Sequence, residues 1–227
     1  MGTAIVASAE DYEDFSAVNY EFDNGQISLR PEWLTEQLPK VSTMTQFLKS
    51  VAARPARSGC FGLHEWAMVL DQNSTRHNQF PLRITQEAIR ATIDEQGLRC
   101  THFDAFRFFT DAARPLNPLQ LAYDDKFTVE QPGCLHANMD LYKYASRIAP
   151  IVGSEFLRSC FILARDIRTV DMQVAPYDLS SLGVFPIRVE TADGRREFSA
   201  KQQEFTHRAS DLRSQLIEIC EALLPIG

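Results

Sequence analysis

The sequence predicts a single α+β domain with more helix than strand and a small sheet packed by helices. Amphipathic segments with a helical period dominate the second half of the chain. A short strand, a capped helix and a second strand-like run follow one another between residues 82 and 109. The 227 residues are 44% hydrophobic and 23% charged, which is ordinary globular composition and sufficient for one core.

The acidic residues are concentrated at the N-terminus. The net charge is -7, and residues 1–29 contain six acidic side chains and no basic one. We therefore expect residues 1–29 to form an acidic, irregular or weakly extended arm and residues 30–227 to form the globular domain. Charge is nearly balanced in the domain, so the basic excess typical of phosphate-binding surfaces is missing. Duplex DNA is a doubtful partner for this reason.

The sequence also indicates a cellular compartment. No run approaches the roughly 18 apolar residues of a membrane-spanning helix. The first basic residue is Arg30, so the basic segment of a signal peptide is missing. Five cysteines without regular spacing fit reduced thiols. We expect a cytoplasmic protein that does not associate with membranes, and the oligomeric state stays open.

Two helices are predicted directly after the arm. Pro31 occupies the favoured first position of a short helix, PEWLTEQL, and Pro39 ends it. Ser42 or Thr43 caps a second helix, MTQFLKSVAAR, which ends before Pro55.

The next segment contains one ambiguous run and one well-marked helix. Residues 60–70 are apolar except for two adjacent polar residues, and the run is too short to separate a buried strand from a buried helix. Residues 82–84 predict a short strand. Thr85 then caps a helix that continues to about Glu95, and Gly97 ends it.

Residues 98–109, LRCTHFDAFRFF, combine chemically active and apolar side chains more densely than any other stretch. As a strand with a period of two, the stretch places Cys100, His102 and Asp104 on one face together with two phenylalanines. This pattern predicts a central strand that carries an imidazole beside a carboxylate.

The C-terminal half is predicted to be mainly helical. Residues 119–131 have helical character, and stronger helices follow over residues 135–149 and from Ser154 onward. Residues 185–191 predict a strand. A last amphipathic helix covers about residues 197–224.

Three of the five histidines have a cysteine just upstream and a carboxylate nearby. The three groups are Cys60, His64 and Glu65; Cys100, His102 and Asp104; and Cys134, His136 and Asp140. Imidazoles from three elements, oriented by carboxylates, are the donors that transition metals use. The sequence thus predicts a divalent metal site, zinc or iron, with His64, His102, His136 and Asp140 as ligands. The spacing matches neither HExxH nor paired CxxC, and hydrogen-bonded core pairs are an equally open interpretation.

Aromatic and arginine side chains cluster near the same stretch. Aromatic faces can stack a planar substrate, and arginines can bind an anionic group. The candidate substrate-binding residues are Phe103, Phe106, Phe108, Trp66, Arg107 and Arg114. The chain has no glycine-rich phosphate loop, so nucleoside triphosphates are not expected. A stripe this apolar is also typical of a core.

Four separated runs resemble a known family. GCFGLHEWAMVL, CTHFDAFRFFTDAARPLNP, EQPGCLHANMDLYKYA and DIRTVDMQVAPYDLSSLG are similar to bacterial, mainly actinobacterial, proteins commonly named 3-methyladenine DNA glycosylase. The resemblance covers residues 58–200 and implies hydrolysis of an N-glycosidic bond. Such chemistry needs an acid that activates water and an aromatic slot for the base. Asp104, with His102 as its partner and Glu65 as a further acid, is the catalytic group that this interpretation predicts.

Three functions therefore stay open. The first is an N-glycosidase-like hydrolase, acting on a small planar or nucleoside-like substrate rather than on duplex DNA. The second is a metal-dependent enzyme, hydrolytic or oxidative. The third is a non-catalytic ligand-binding module whose histidines are structural. In the first two, we expect the histidines and carboxylates to converge on one pocket.

Overall fold

A small antiparallel sheet opens the fold of this computed structural model, which describes residues 5–6, 8, 10, 13, 18–72 and 77–224. Its strands are β1 (Ile5–Val6), β2 (Tyr20–Asp23) and β3 (Gln26–Leu29), in the order β1-β3-β2. β2 and β3 form a hairpin with Phe22 opposite Ile27. Asn24 and Gly25 make its turn with φ of 49° and 75°, the left-handed conformation that a two-residue hairpin turn requires.

Helices make up most of the remaining described chain. They are α1 (Pro31–Ala52), α2 (His64–Ala67), α3 (Gln86–Gln96), α4 (Phe103–Phe106), α5 (Lys126–Val129), α6 (Leu135–Arg147), α7 (Ala149–Val152), α8 (Ser154–Val174) and α9 (Ala192–Glu221). Short 3-10 turns lie at Arg114–Leu116, Tyr123–Asp125 and Ser180–Leu182. The predicted α+β class, with more helix than strand, is confirmed. None of the helices in the described residues is both long and apolar enough to cross a membrane.

The C-terminal helix α9 is central to the core. It contacts α1, α6 and α8, and α6 packs along α8. Phe198, Phe205 and Leu216 of α9 are buried in this interface. The Thr191 hydroxyl accepts a hydrogen bond from the Gly194 N–H at 3.1 Å, which caps the first turn of the helix. The bundle places the start of α6 beside the end of α8.

The helices with clear end signals form where they were predicted. The Thr85 hydroxyl accepts a bond from the Ala88 N–H at 3.3 Å, and Gly97 ends α3 with φ of 70°. Helices α6 and α8 also match their predicted positions, and α9 begins five residues before the expected Glu197.

The predicted strands outside the N-terminal segment are wrong. Residues 82–84 make only a single bridge, Leu82 with Tyr177. Ile187 and Val189 are buried with strand-like alternation, but the Ile187 N–H bonds to a helix carbonyl at Gln173 instead of a partner strand. The alternating burial of this segment therefore results from its packing along α8, and not from pairing in a sheet.

The central stretch, residues 98–109, is also not a strand. Residues 98–102 are irregular, and α4 and a turn follow. Phe106 and Phe109 are both buried, and their rings lie 5.2 Å apart. Side chains three positions apart meet on one side of a helical turn, so the helical spacing of the phenylalanines determined the structure.

Two further predictions need correction. Helix α1 continues through Pro39, because the buried side chains Val41 and Phe47 extend the face that packs against α9. The Thr43 hydroxyl donates to the Pro39 carbonyl at 3.0 Å and caps no second helix. Residues 119–131 contain only a 3-10 turn and the short α5.

The predicted acidic arm is in part a sheet. Its residues 20–29 contain β2 and β3, and Ile27 is buried. The arm's positions 1–4, 7, 9, 11–12 and 14–17 lie outside the described residues.

Candidate metal centre

A cavity of about 560 Å³ lies where the loops before α2, α4 and α6 meet. Three histidines and three cysteines line it: His64, His102, His136, Cys60, Cys100 and Cys134. Leu63, Leu98 and Phe198 add apolar surface. In each Cys-His pair noted in the sequence, both residues therefore line this cavity.

The three imidazoles are in direct contact. His64 is the first residue of α2, His102 precedes α4, and His136 is the second residue of α6. The ring centroids of His64 and His136 lie 4.4 Å apart in an edge-on arrangement. Those of His102 and His136 are stacked at 5.1 Å. His136 therefore lies between the other two rings.

Asp171 of α8 lies beside His64. Its Oδ1 is 3.0 Å from His64 Nε2, and its side chain is completely buried. Arg168, one turn earlier, donates to Asp171 Oδ2 at 2.5 Å. Burial disfavours the carboxylate, but His64, His136 and Arg168 hold the pKa of Asp171 well below its ordinary value. Burial likewise opposes a charged His64, yet Asp171 raises the pKa of this imidazole.

Glu130, which follows α5, takes the same position beside His102. His102 Nδ1 lies 3.1 Å from Glu130 Oε1, and both side chains are about 4% exposed. A carboxylate behind a histidine fixes the ring orientation and increases the basicity of its other nitrogen.

Two ring nitrogens and two carboxylate oxygens of these pairs are buried without a hydrogen bond of ordinary geometry. His64 Nε2, Asp171 Oδ1, His102 Nδ1 and Glu130 Oε2 are all buried without a hydrogen-bond partner. His64 Nε2 and Asp171 Oδ1 lie 3.0 Å apart, but their relative orientation is not that of a hydrogen bond. Two ligands about 2.1 Å from one metal and at right angles are separated by roughly 3.0 Å. The spacing of His64 and Asp171 therefore fits a shared metal.

His136 completes a set of three donors. One donor atom each of His64, His136 and Asp171 lies within 4.8 Å of the other two. Burial, followed by the neighbouring His64, lowers the pKa of His136 to about 3. His136 is thus neutral at physiological pH, the state in which an imidazole binds a metal.

A second donor group is less suited to a cation. One donor atom each of His102, Asp104 and Asp140 also lies within 4.8 Å of the others. However, Lys143 Nζ forms an ion pair with Asp140 and lies 3.9 Å from Asp104. The Lys143 ammonium group competes with a cation for these carboxylates, and Arg107 pairs with Asp104 as well. Asp140, predicted as a ligand, therefore lies in a surface charge cluster.

Of the predicted catalytic residues, Asp104 and His102 have donor atoms within 4.8 Å of each other, whereas Glu65 lies apart from them. Asp104 is 45% exposed, pairs with Arg107 at 3.4 Å and does not line the large cavity. Glu65 lines a separate cavity of about 110 Å³ together with Arg168. Only His102 of the predicted trio lines the large cavity.

Two predicted stacking residues belong to the core. Trp66 is fully buried, and its Nε1 donates to the Val174 carbonyl at 2.8 Å. Phe106 is 2% exposed. Neither side chain lines the cavity, because the helical turns of α2 and α4 direct them into the core.

The remaining substrate-binding candidates are also not part of the cavity lining. The Arg107 guanidinium lies over the Phe108 ring at 4.6 Å, and Arg114 donates to the Arg107 carbonyl at 2.9 Å. Phe103 packs edge-on against Tyr123. These residues stabilise the turn after α4.

Asp171 and Glu130 were missed from the sequence. Asp171 follows Ile167 by one helical turn and precedes Val174 by three residues, so an extension of the buried stripe of α8 could have found it. Glu130 lies in an irregular segment and carries no periodic signal.

Comparison of the chain with protein-family models, with curated proteins and with solved structures finds no match. Its function is therefore inferred from the cavity and the donor atoms in its wall.

Proposed function

We propose that the protein is a metal-dependent enzyme that binds one divalent transition metal through His64, His136 and Asp171. The observation that carries the proposal is the meeting of these three donor groups, of which His64 and Asp171 are buried, beside a cavity of about 560 Å³. Two histidines and one carboxylate are the ligand set of many catalytic zinc and non-heme iron sites, which keep coordination positions open for water or substrate.

The neighbouring side chains support this assignment. Arg168 bonds to Asp171 Oδ2 and thereby directs Oδ1 toward His64. His102, oriented by Glu130, stacks on His136 at the cavity wall, where it can transfer a proton to or from a bound substrate. A bound metal of this type acts as a Lewis acid and lowers the pKa of a coordinated water.

The cavity favours a small organic substrate. Its volume of about 560 Å³ falls within the range of pockets for small molecules, which is roughly 300–1,000 Å³. A nucleoside-sized planar molecule fits this range, so the substrate class implied by the family resemblance stays compatible with a metal site.

An N-glycosidase that uses Asp104 has less support. This carboxylate pairs with Arg107, approaches Lys143 and does not line the cavity. A purely structural role for the histidines, as ion pairs with Asp171 at 3.0 Å and Glu130 at 3.1 Å, is the alternative that metal titration decides.

Metal titration tests the proposal. The protein is stripped with a chelator, titrated with Zn²⁺ or, without oxygen, with Fe²⁺, and its metal content is measured by mass spectrometry. We expect one tightly bound ion per chain, lost in His136→Ala and Asp171→Asn. The control is His207→Ala, since His207 is exposed and does not line the cavity. Absence of stoichiometric binding, or wild-type binding by both ligand variants, contradicts the proposal.

A further inference from the structure

Two arginines at the cavity wall have no acidic partner in the part of the chain that the structure describes. Arg57 and Arg99 both line the cavity and are exposed. No carboxylate oxygen of the described residues lies within 4.0 Å of either guanidinium. By contrast, Arg83, Arg90 and Arg208 each contact a carboxylate. Other described arginines, such as Arg147 and Arg158, also have no carboxylate partner, but of the arginines in the described residues only Arg57 and Arg99 line the cavity.

The surroundings place the Arg99 guanidinium beside Gly59 and fix the backbone of Arg57. A Cβ atom at Gly59 would lie 2.9 Å from Arg99 Nη1, so the missing side chain makes room for this guanidinium. The Arg57 N–H donates to Gln131 Oε1 at 2.8 Å, and Gln131 Nε2 donates to the Arg57 carbonyl at 3.3 Å. The backbone of Arg57 is thus fixed, while its side chain carries no ion pair.

The rest of the lining offers no competing negative charge. No aspartate or glutamate of the described residues lines the cavity, and its three cysteines are free thiols. Asp171 and Glu130 are buried, each beside a histidine, and neither is a lining residue of the cavity. The cavity therefore has cationic groups, an apolar and thiol-lined wall, and the proposed metal site.

We propose that Arg57 and Arg99 bind an oxyanion group, a carboxylate or a phosphate, of a ligand whose apolar part enters the cavity toward His64 and His136. Guanidinium groups bind both oxyanions with charge-assisted, often bidentate, hydrogen bonds. The identification of this ligand as the substrate rests on the proposed metal-dependent function. The anion site itself depends only on the two arginines and the shape of the cavity.

Calorimetric titration with three probes tests the anion site. Benzoate and phenyl phosphate share an apolar ring and differ in the oxyanion, whereas benzamide is neutral. We expect saturable binding of benzoate or phenyl phosphate, at least tenfold weaker binding of benzamide, and loss of affinity as salt increases. The preferred anion identifies the oxyanion. Equal binding of benzamide, or binding of neither anion, overturns the proposal.

Three variants assign the effect to these residues. Arg57→Gln and Arg99→Gln are each expected to weaken anion binding at least tenfold. Gly59→Ala should weaken it as well, because the new Cβ displaces the Arg99 guanidinium. Arg158→Gln is the matched control, an exposed arginine on α8 that does not line the cavity. Wild-type affinity in both arginine variants overturns the proposal.

The same titrations in chelator-treated and zinc-loaded protein separate the two proposals. Anion binding that depends on Arg57 and Arg99 but occurs in a protein without metal affinity refutes the metal-dependent function alone. Stoichiometric zinc binding without anion binding refutes the anion site alone.

Discussion

Asp171 connects the candidate metal site to the charge balance of the core. It is completely buried and contacts His64 and Arg168. Asp171→Asn keeps the shape of the side chain but leaves both partners without their counter-charge. We expect loss of metal and a decrease of about 3 kcal/mol in the free energy of unfolding, the scale for breaking a buried ion pair.

Urea denaturation of the chelator-treated protein measures this decrease without the contribution of metal. Asp166→Asn is a matched control on the same helix, because Asp166 pairs with Arg165 and Arg208 at the surface. Its cost should stay within about 1 kcal/mol. Equal costs for the two variants would contradict the role given to Asp171.

For Asp104, in contrast to Asp171, we expect that substitution has little effect on stability or on metal content. Its side chain is 45% exposed and forms surface ion pairs with Arg107 and Lys143. Asp104→Asn should change the free energy of unfolding by less than about 1 kcal/mol and leave the metal content unchanged. Loss of activity in this variant, with metal retained, would instead support the carboxylate role that the family resemblance implies.

At the scale of elements, the ion pair of Arg83 and Glu190 joins three segments. Arg83 donates to both carboxylate oxygens at 2.6 and 2.8 Å and to the Ala175 carbonyl at 3.3 Å. It thus connects the segment before α3, the end of α8 and the loop before α9. Burial favours the neutral acid, but the hydrogen bonds from Arg83 lower the pKa of Glu190 overall.

This pair should make stability depend on pH. Because the folded-state pKa of Glu190 is lowered from 4.5, the stabilisation is complete above that pH and is lost as the pH falls through the folded-state pKa. Glu190→Gln should cost about 1–2 kcal/mol at neutral pH for this partly exposed pair. The difference from wild type should shrink below pH 4.5 in urea titrations. A constant difference across this range would contradict the assignment.

Helices were predictable because their signals are local. The Thr85 cap, the Gly97 end and the amphipathic stripe of α6 all lie within the element that they specify. Strands depend on distant partners, so the buried alternation at Ile187 and Val189 was indistinguishable from a strand. The hairpin had a local signal in Asn24-Gly25, which the prediction of an irregular arm overlooked.

The site was predictable only in part for the same reason. His64, His102 and His136 stand out because each has a cysteine and a carboxylate nearby in the sequence. Asp171 and Glu130 are adjacent to these histidines only in three dimensions. The prediction therefore named local acids, Asp104 and Asp140, whose helical positions face Lys143.

At the scale of the whole molecule, charge predicts weak binding to nucleic acid. The net charge is -7, and many arginines of the described residues are paired with acids. We expect weak, non-specific binding of duplex DNA at physiological salt, measured by fluorescence anisotropy. Tight binding with a steep salt dependence would show a basic surface formed by dispersed residues.

The separation of the ligands along the chain has a kinetic consequence. His64, His136 and Asp171 belong to α2, α6 and α8, so no short segment can bind the metal by itself. A metal that binds only the native arrangement should slow unfolding while leaving refolding nearly unchanged. Zinc-loaded protein should therefore resist proteolysis longer than chelator-treated protein, with a slower unfolding phase in stopped-flow experiments. An effect on refolding alone would mean that the ligands assemble before the rate-limiting step.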